Sequence, residues 1–354
     1  MPEPPARTMP FMLIAYRRRR SNVSRLLVTG GAGFIGSNFV RRSLELDPEL
    51  KITVLDSLTY AGNLENLSSV MPNIEFIQGD ISDSVLVDEL VSNSDIVVNF
   101  AAESHNDNSL NDARPFIHSN IVGVFELISS SAKHSKRFHQ ISTDEVYGDL
   151  PIESSAQFTA DSPYNPSSPY SASKASADML VRAWHRSFGL RATISNCSNN
   201  FGPNQHREKL IPRTVLLAEA GIRPKVYGDG KNVRDWIHVD DHTDGVWAIL
   251  NRGQMGETYL LGARSERNNL QVVREILRIT GKDEDFIEFV PDRPGHDLRY
   301  AIDPTKAENE LGWRATTRSF EELLPGVVES YLGKSKDVSE ISGSGPSVTK
   351  SKAK

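Results

Sequence analysis

The chain has 354 residues, of which 38% are hydrophobic and 24% are charged, and its formal net charge is −6. This composition argues against a disordered or membrane-embedded protein, and the acidic balance argues against a general nucleic-acid binder. No run of about 18 apolar residues predicts a transmembrane helix. The single cysteine, Cys197, excludes an intrachain disulfide and fits a reducing cytoplasm. We therefore expect a cytoplasmic protein with no membrane or nucleic-acid partner.

Both ends of the chain differ in composition from the rest. In residues 1–23 a short apolar stretch is followed by four arginines, which is the wrong order for a signal peptide. We predict a disordered leader there, with a basic docking arm as the alternative. Residues 334–354 are rich in Ser, Gly and Lys, which predicts a disordered tail.

Short apolar runs alternate with helical patterns through the first 200 residues. The runs are continuous rather than alternating, which is typical of strands covered on both faces. Such a series predicts an α/β fold with a Rossmann-like, doubly wound parallel sheet. Strands are predicted at residues 25–29, 52–56, 74–77, 96–100, 138–142 and 192–196, and helices at 36–46, 85–91, 115–133 and 171–188.

Beyond about residue 200, Gly, Pro and charged residues become frequent. This change predicts two parts: a Rossmann domain over residues 24–200 and a smaller, loop-rich C-terminal substrate lobe over 201–333. The segment at 235–250 is expected to return to the first domain and its sheet.

A glycine-rich turn joins the first predicted strand to the first predicted helix. Gly30, Gly33 and Gly36 would let a pyrophosphate approach the backbone at the start of that helix, where free N–H groups attract anions. Asp56 ends the second strand, where a carboxylate can accept a hydrogen bond from an adenosine ribose and would repel a 2′-phosphate. These features favour NAD over NADP, and the alternative is a glycine turn without a ligand. Further contacts are expected at the ends of the third and fourth strands, at Asp80, Ile81, Phe100, Ala101, Ala102 and Ser104.

Tyr170 and Lys174 stand four residues apart in a helical pattern, so their side chains would share one face. A neighbouring ammonium stabilises a phenolate, and we therefore expect Lys174 to lower the pKa of Tyr170 and make it a base near neutral pH. The alternative is an unrelated pair on a helix surface.

Two acids follow the fifth predicted strand. Asp144 and Glu145, preceded by Thr143, would lie beside the cofactor and could act as a proton donor and acceptor. The alternative is a helix start, where Thr and Asp serve as caps and an early Glu suits the helix dipole.

Several motifs, in order over residues 25–331, together resemble the dTDP-glucose 4,6-dehydratases of the extended short-chain dehydrogenase/reductase superfamily. They are TGGAGFIGSN, LDSLTYAGNL, AAESH, STDEVYGDL, SPYSASKAS, NCSNNFGP, EKLIP, RDWIHVDDH and DRPGHDLRYAID. Two segments depart from the family pattern: Asn106-Asp107-Asn108 stands where a Val-Asp-Arg-like run is expected, and Lys225-Val226-Tyr227 stands in place of a Pro-Ile-Tyr-like segment.

The resemblance implies a reaction in which NAD⁺ oxidises carbon 4 of the sugar, water is lost across carbons 5 and 6, and hydride returns to carbon 6. Tyr170, beside Lys174, would accept the carbon 4 hydroxyl proton, and Thr143 would bind that hydroxyl. Glu145 would remove the carbon 5 proton, and Asp144 would protonate the departing hydroxyl. It also implies a homodimer formed through helices, and no metal ion.

By the same resemblance, the NAD contacts would extend to Phe34, Ile35, Ser57, Leu58, Thr59 and Asn200. Nucleotide-sugar contacts would come from Ser104, Thr143, Asn199, Lys209, Leu210, Lys225, Tyr227, Arg234, Asn269, Asp292, Arg293 and His296. Lys209, Arg234 and Arg293 are expected to bind the diphosphate, and the alternative for each of them is an ordinary surface charge.

Four other functions stay open at this point. An epimerase on the same scaffold needs no acid to expel water, and a decarboxylase would act on a uronic acid. A GDP-mannose dehydratase differs mainly in its nucleotide. A non-catalytic NAD-binding scaffold would be expected to lack one of Asp144, Glu145, Tyr170 and Lys174, and all four are present.

Overall fold

The computed structural model describes residues 24–292, 295–316, 318–334 and 338–342. The predicted leader and Arg293 lie outside the described residues. Twelve strands are numbered in chain order as β1 Arg25–Thr29, β2 Lys51–Asp56, β3 Ile74–Gln78, β4 Ile96–Asn99, β5 Arg137–Thr143, β6 Arg191–Cys197, β7 Asn199–Phe201, β8 Lys225–Tyr227, β9 Val233–His238, β10 Thr258–Leu261, β11 Glu266–Asn268 and β12 Glu288–Val290.

The helices include one long helix that follows β5. In chain order they are α1 Phe34–Leu46, α2 Ser84–Ser92, α3 Asn106–Asn111, α4 Arg114–Ile117, α5 Val124–Lys133, α6 Pro169–Phe188, α7 Leu210–Glu219, α8 Val239–Arg252, α9 Asn269–Ile279, α10 Thr305–Leu311, α11 Phe320–Glu329 and α12 Ser339–Ser342. A π-helical segment, His118–Gly123, joins α4 to α5, and a 3-10 turn, Asp144–Tyr147, follows β5.

Seven strands form one parallel sheet in the order β10-β6-β5-β4-β1-β2-β3. The chain order reverses between β1 and β4, which is the place where such sheets bind ligands at the carboxyl ends of their strands. The predicted doubly wound parallel sheet is confirmed. The six predicted strands agree with β1 to β6 within two residues at either end.

The main sheet has a hydrophobic core on each face, because successive side chains of a strand point to opposite faces. On one face Leu26 and Val28 join Phe39 of α1 and Trp247 of α8. The Trp247 indole stacks on Phe39 with 5.7 Å between ring centroids. On the other face Leu27 and its neighbours in the sheet meet α2, α5 and α6. Helices on both faces explain why the strands are apolar throughout.

Two expectations about individual segments need correction. The strand at 235–238 joins β9, which pairs with β7 and β11 in a separate three-stranded sheet, while the helix that follows, α8, packs over the main sheet. The strand that enters the main sheet late in the chain is β10, beside β6. The helix predicted at 115–133 is interrupted by the π-helical segment, where the wider turn carries Asn120 inward.

Part of the predicted disordered tail has regular structure. Residues 339–342 form the short helix α12, and the side chain of Ile341 is buried against Leu216 and Leu217 of α7. A single apolar residue in a polar segment can dock in this way because burial of its side chain is favourable by about 1.5–3 kcal/mol. The two-part division at residue 200 stays a prediction.

Candidate active site

A cleft of about 300 Å³ opens at the carboxyl ends of β1, β4 and β5. It brings together residues that the sequence places up to 179 positions apart, from Gly30 to Lys209. Of the predicted site residues, the following line it: Gly30, Gly33, Phe34, Ile35, Gly36, Asp56, Ser57, Thr59, Asp80, Ile81, Phe100, Ala101, Ala102, Ser104, Thr143, Asp144, Glu145, Tyr170, Lys174, Asn199, Asn200 and Lys209.

The glycine-rich turn packs too closely for side chains. Gly30 has φ +68°, and a Cβ there would lie 2.4 Å from the backbone nitrogen of Ala101. A Cβ on Gly36 would lie 2.2 Å from the carbonyl oxygen of Gly30. The turn therefore requires glycine at both positions, and it directs the amino end of α1 into the cleft. This arrangement fits the pyrophosphate of a dinucleotide.

Asp56, at the end of β2, holds the loops around this turn. Its carboxylate accepts hydrogen bonds from the backbone nitrogens of Ala32, at 2.9 Å, and of Leu58, at 2.8 Å. Burial raises its pKa, while these two hydrogen bonds oppose the shift. Each carboxylate oxygen has a second lone pair, so Asp56 can still accept a hydrogen bond from a ribose hydroxyl. Leu58 itself packs against the core rather than lining the cleft.

The long helix α6 carries Tyr170 and Lys174 into the cleft. Pro169 opens the helix, and Ser168 forms a capping box with Ser171, so the first turn is fixed by two reciprocal hydrogen bonds. Lys174 is 4% exposed, and its ammonium donates a hydrogen bond to the carbonyl oxygen of Ile141 in β5, at 2.7 Å. A surface helix pair is therefore excluded for these two residues.

The net shift in the Tyr170 pKa is opposite in direction to the one expected from a neighbouring Lys174. Burial raises the pKa of the Tyr170 phenol well above its usual value, and the charge of Glu145 adds to the rise. A hydrogen bond with Thr143 acts in the opposite direction. Burial also lowers the pKa of Lys174, because a charged ammonium loses solvation in the interior. Desolvation thus outweighs the pairing that the four-residue spacing suggests.

Asp144 lies in the turn after β5 and is 2% exposed. Burial raises its pKa well above the ordinary value, and the charges of Glu145 and Asp235 raise it further. Its Oδ1 accepts a hydrogen bond from the hydroxyl of Thr143, at 3.3 Å, whereas Oδ2 is buried with no hydrogen-bond partner among the described residues. A carboxyl group in this environment favours the protonated state and can donate a proton.

Glu145 is the neighbouring acid and is half-buried. Its Oε2 accepts a hydrogen bond from the side-chain amide of Asn106, at 3.1 Å. Its backbone nitrogen donates a hydrogen bond to the hydroxyl oxygen of Thr143, at 3.3 Å. The helix cap that was the alternative interpretation of this segment is therefore present as well. The turn therefore serves as a cap and at the same time places both carboxyl groups in the cleft.

Two buried polar residues that the sequence did not single out support this site. Asp178, one turn after Lys174 on α6, accepts hydrogen bonds from Ser142 at 2.7 Å and Tyr164 at 3.0 Å, and its charge raises the pKa of Lys174. Asn120, in the π-helical segment, donates to Ser173 of α6 at 2.8 Å. The four-residue step from Lys174 to Asp178 was a usable signal for the first, and for Asn120 the only signal was a polar residue in an apolar stretch.

The residues predicted to bind the diphosphate take different positions. Lys209 lines the cleft, and its ammonium donates to the carbonyl oxygen of Ser104 at 3.1 Å. Arg234 is 5% exposed, so an ordinary surface charge is wrong for it. Its guanidinium lies 4.2 Å from the ring centroid of Tyr300, and its charge lowers the pKa of Asp144. Arg234 is thus a buried cation within electrostatic reach of Asp144, although it does not line the cleft.

The other predicted substrate residues lie outside the cleft wall. Tyr227 donates a hydrogen bond to Asp107 of α3 at 3.4 Å, and its ring is edge-on to that of His296, which lies 2.7 Å from Asp292. The ammonium of Lys225 donates to the carbonyl oxygen of Ser342. Leu210 packs between two apolar clusters, and Asn269 begins α9.

Cys197 is buried at the base of the cleft. Burial raises the pKa of its thiol to about 12, which keeps it protonated and unreactive as a nucleophile. Among the described residues no group of three or more His, Cys, Asp or Glu side chains is arranged to hold a metal ion. None of the described helices is both long and apolar enough to cross a membrane.

Comparison with known proteins gives consistent relatives. The family model described as GDP-mannose 4,6 dehydratase matches residues 27–326. The dTDP-glucose 4,6-dehydratase of Mycolicibacterium smegmatis is 57% identical over 307 residues, which cover 87% of this chain and 93% of that protein.

Two solved structures extend the similarity to the fold. DesIV, a dTDP-glucose 4,6-dehydratase from Streptomyces venezuelae with NAD and TYD bound, aligns with a TM-score of 0.84 and 44% identity, over 87% of this chain and 96% of that one. The dTDP-glucose 4,6-dehydratase of Bacillus anthracis in complex with NAD aligns with a TM-score of 0.80 and 42% identity, with the same coverage. The chain belongs to the dTDP-glucose 4,6-dehydratases of the extended short-chain dehydrogenase/reductase superfamily.

Proposed function

We propose that this chain is an NAD-dependent dTDP-glucose 4,6-dehydratase, a lyase that converts dTDP-glucose to dTDP-4-keto-6-deoxyglucose and water. The observation that carries the proposal is the pairing of a buried acid with a second carboxyl group in the same cleft. Asp144, whose raised pKa favours the protonated state, adjoins Glu145, and both line the cleft that holds Tyr170 and the glycine-rich turn. An oxidation alone would need only Tyr170 and Lys174, whereas loss of water needs both a proton donor and a proton acceptor.

Each side chain is assigned one proton transfer. Tyr170 is assigned as the acceptor of the carbon 4 hydroxyl proton, which requires that the bound cofactor and substrate lower the pKa that burial raises. Thr143, which hydrogen-bonds Tyr170 and opposes that rise, positions the hydroxyl. Bound NAD⁺ is the oxidant at carbon 4 and, once reduced, the reductant at carbon 6. The ketone at carbon 4 acidifies the carbon 5 proton, which Glu145 removes.

The same acids complete the elimination and the return. Asp144 gives its proton to the carbon 6 hydroxyl, the carbon–oxygen bond breaks, and water leaves. Glu145 then returns a proton to carbon 5. Lys174, whose charge Asp178 stabilises, holds the helix that carries Tyr170 against strand β5. Tyr170 has then gained one proton and Asp144 has lost one, so the side chains together carry as many protons as at the start, and transfer of that proton to Asp144 resets the site.

The nucleotide sugar is assigned to the remaining contacts. Ser104, Asn199 and Lys209 in the cleft and Arg234 behind it are proposed for the sugar and diphosphate. Tyr227, Asp292 and His296 are proposed for the nucleotide base, together with Arg293, Leu210, Lys225 and Asn269; His296 contacts both Tyr227 and Asp292. Residues 24–200 would form the NAD-binding domain, which also supplies Ser104 and Asn199 to the substrate, and 201–333 would form the substrate lobe.

We also propose a homodimer that works in the cytoplasm. Large apolar side chains are exposed on the surface formed by α4 to α6: Ile117, Val122, Phe125, Met179 and Phe188, between 40% and 64% exposed. A second copy would cover this patch, since exposed apolar area of this kind marks interaction surfaces. Sedimentation of the wild-type protein should give a dimer, and Phe125→Lys with Phe188→Lys should shift it to a monomer.

A direct assay tests the proposed activity. Incubation with dTDP-glucose and NAD⁺ should give the alkali-induced absorbance of a 4-keto sugar, with no net reduction of the cofactor. UDP-galactose and UDP-glucuronate serve as comparison substrates for epimerase and decarboxylase activity. Turnover of either without a product from dTDP-glucose would contradict the proposal.

A further inference from the structure

Asn106 contacts one of the two acids from a part of the chain that departs from the family pattern. Its Nδ2 donates a hydrogen bond to Oε2 of Glu145, 3.1 Å away. An ionised carboxylate only accepts hydrogen bonds, so the NH₂ end of the amide must face it. This orientation leaves Oδ1 of Asn106 buried without a hydrogen-bond partner in the described part of the chain. A buried acceptor left without a partner is unfavourable, and the bond to Glu145 outweighs that cost.

Helix α3 holds Asn106 in place. Asn106 is its first residue, and His105 caps it by accepting a hydrogen bond from the backbone nitrogen of Asn108. The hydroxyl of Ser109, which is 2% exposed, donates to the carbonyl oxygen of Asn106 at 2.7 Å. These two hydrogen bonds fix the backbone of the first turn of α3, and the Asn106 side chain reaches Glu145 from that fixed position.

Three titratable groups close to Glu145 oppose its negative charge. Asp144 adjoins it in the same turn, Tyr170 faces it from α6, and Tyr300 faces it from the segment beside β9. The charge of Glu145 raises the pKa of all three groups, so each is within electrostatic reach. The charge of Arg234 opposes this effect at Asp144 and Tyr300. The N–H donor of Asn106 acts on Glu145 itself, and it stabilises the charged carboxylate directly.

We propose that Asn106 is a positioning residue for Glu145, whose amide keeps the carboxylate ionised and turns it so that it can accept the carbon 5 proton. This inference rests on the proposed function, because the base role of Glu145 is part of it. A hydrogen bond to the charged form of an acid lowers its pKa, and loss of the bond raises it. Removal of the amide should therefore shift the acidic limb of the pH profile upward, by about one pH unit.

The test uses Asn106→Leu, which removes the donor at similar size, with Asn108→Leu as the matched control on the exposed side of the same helix. The pH profile of kcat/KM for dTDP-glucose is measured for both variants and for the wild type. The acidic limb should move to higher pH in Asn106→Leu and stay in place in Asn108→Leu. Asn106→Asp, which sets a second carboxylate against Glu145, should move it at least as far.

A titration without turnover separates this inference from the proposed function. Carboxyl carbons of ¹³C-labelled glutamate are titrated by NMR, and Glu145→Gln identifies the resonance of Glu145. Its midpoint should rise in Asn106→Leu and stay unchanged in Asn108→Leu. An unchanged midpoint and acidic limb in Asn106→Leu, in protein with a wild-type melting temperature, would overturn the inference. A raised midpoint in a protein that does not dehydrate dTDP-glucose would instead overturn the proposed function.

Discussion

The ammonium nitrogen of Lys174 lies 2.7 Å from the carbonyl oxygen of Ile141, which fastens helix α6 to strand β5 at the centre of the cleft. Strand β5 ends two residues later, and the turn after it carries Asp144 and Glu145. The lysine therefore fixes the distance between the helix that carries Tyr170 and the turn that carries the acids. Its charge is shared with Asp178, one helical turn further on.

Lys174→Met should remove this link and the charge together. We expect kcat to fall by roughly 10²–10⁴-fold, which is the usual range for loss of a group that supports proton transfer. Binding of NAD⁺, followed by quenching of tryptophan fluorescence, should also weaken. Lys133→Met, at an exposed position paired with Asp88, is the control and should leave both quantities near wild type. Wild-type turnover in Lys174→Met would contradict the assigned role.

Asp144→Asn should separate oxidation from loss of water. The amide cannot protonate the departing hydroxyl, whereas oxidation at carbon 4 depends on Tyr170. Reduced cofactor should therefore accumulate transiently in a single turnover, as seen by its near-ultraviolet absorbance, while product formation slows by roughly 10²-fold or more. An equal loss of both steps would show that the division of roles between Asp144 and Tyr170 is wrong.

The same substitution should change stability in a pH-dependent way. Burial raises the pKa of Asp144 in the folded state above its unfolded value. The stabilising contribution of the protonated acid is therefore complete below the unfolded pKa, near 3.9, and is lost as pH rises through the folded pKa. Asparagine has no proton to lose, so the melting temperature of Asp144→Asn relative to wild type should rise with pH.

Thermal melts between about pH 4 and pH 8 test this stability effect. Asp161→Asn, at an exposed position, is the control and should follow the wild type throughout. A constant difference between Asp144→Asn and wild type across that range would mean that Asp144 is not buried in its protonated form.

Gly36→Ala should damage the cofactor turn. Its methyl group would lie 2.2 Å from the carbonyl oxygen of Gly30, so the turn must shift. We expect a loss of roughly 1–3 kcal/mol in stability and at least a tenfold weaker binding of NAD⁺, or about 1.4 kcal/mol. Gly326→Ala in α11, where no described atom lies within 4 Å of the added carbon, should bind NAD⁺ as the wild type does. Isothermal titration calorimetry measures NAD⁺ binding by both variants, and thermal melts measure their stability.

The contacts within one turn or one strand end could be predicted from the sequence. Gly30 and Gly36 flank a strand-to-helix turn, and Asp56 ends the next strand, so their meeting follows from the order of elements in a parallel sheet. Tyr170 and Lys174 share a helix face for the same local reason. For these positions, the spacing along the chain is enough to predict which residues lie close together.

Contacts between distant segments could not be predicted in this way. Asn106 and Glu145 are 39 residues apart, and Asn120 and Ser173 are 53 apart, so neither contact leaves a periodic signal. The strand at 233–238 is buried along most of its length, as the central strands are, yet it pairs in a smaller sheet with β7 and β11. The direction of the Tyr170 pKa shift depends on how deeply the fold buries the phenol, which spacing does not report.

The central claim is an internal oxidation and reduction, in which the hydrogen removed from carbon 4 returns to carbon 6. The most direct test is turnover of dTDP-glucose deuterated at carbon 4, with the product analysed by NMR and mass spectrometry. The account predicts one deuterium at carbon 6 of the 4-keto-6-deoxy product and none in the free cofactor. Deuterium returned to carbon 4 of an intact hexose, or retained in released reduced cofactor, would contradict it.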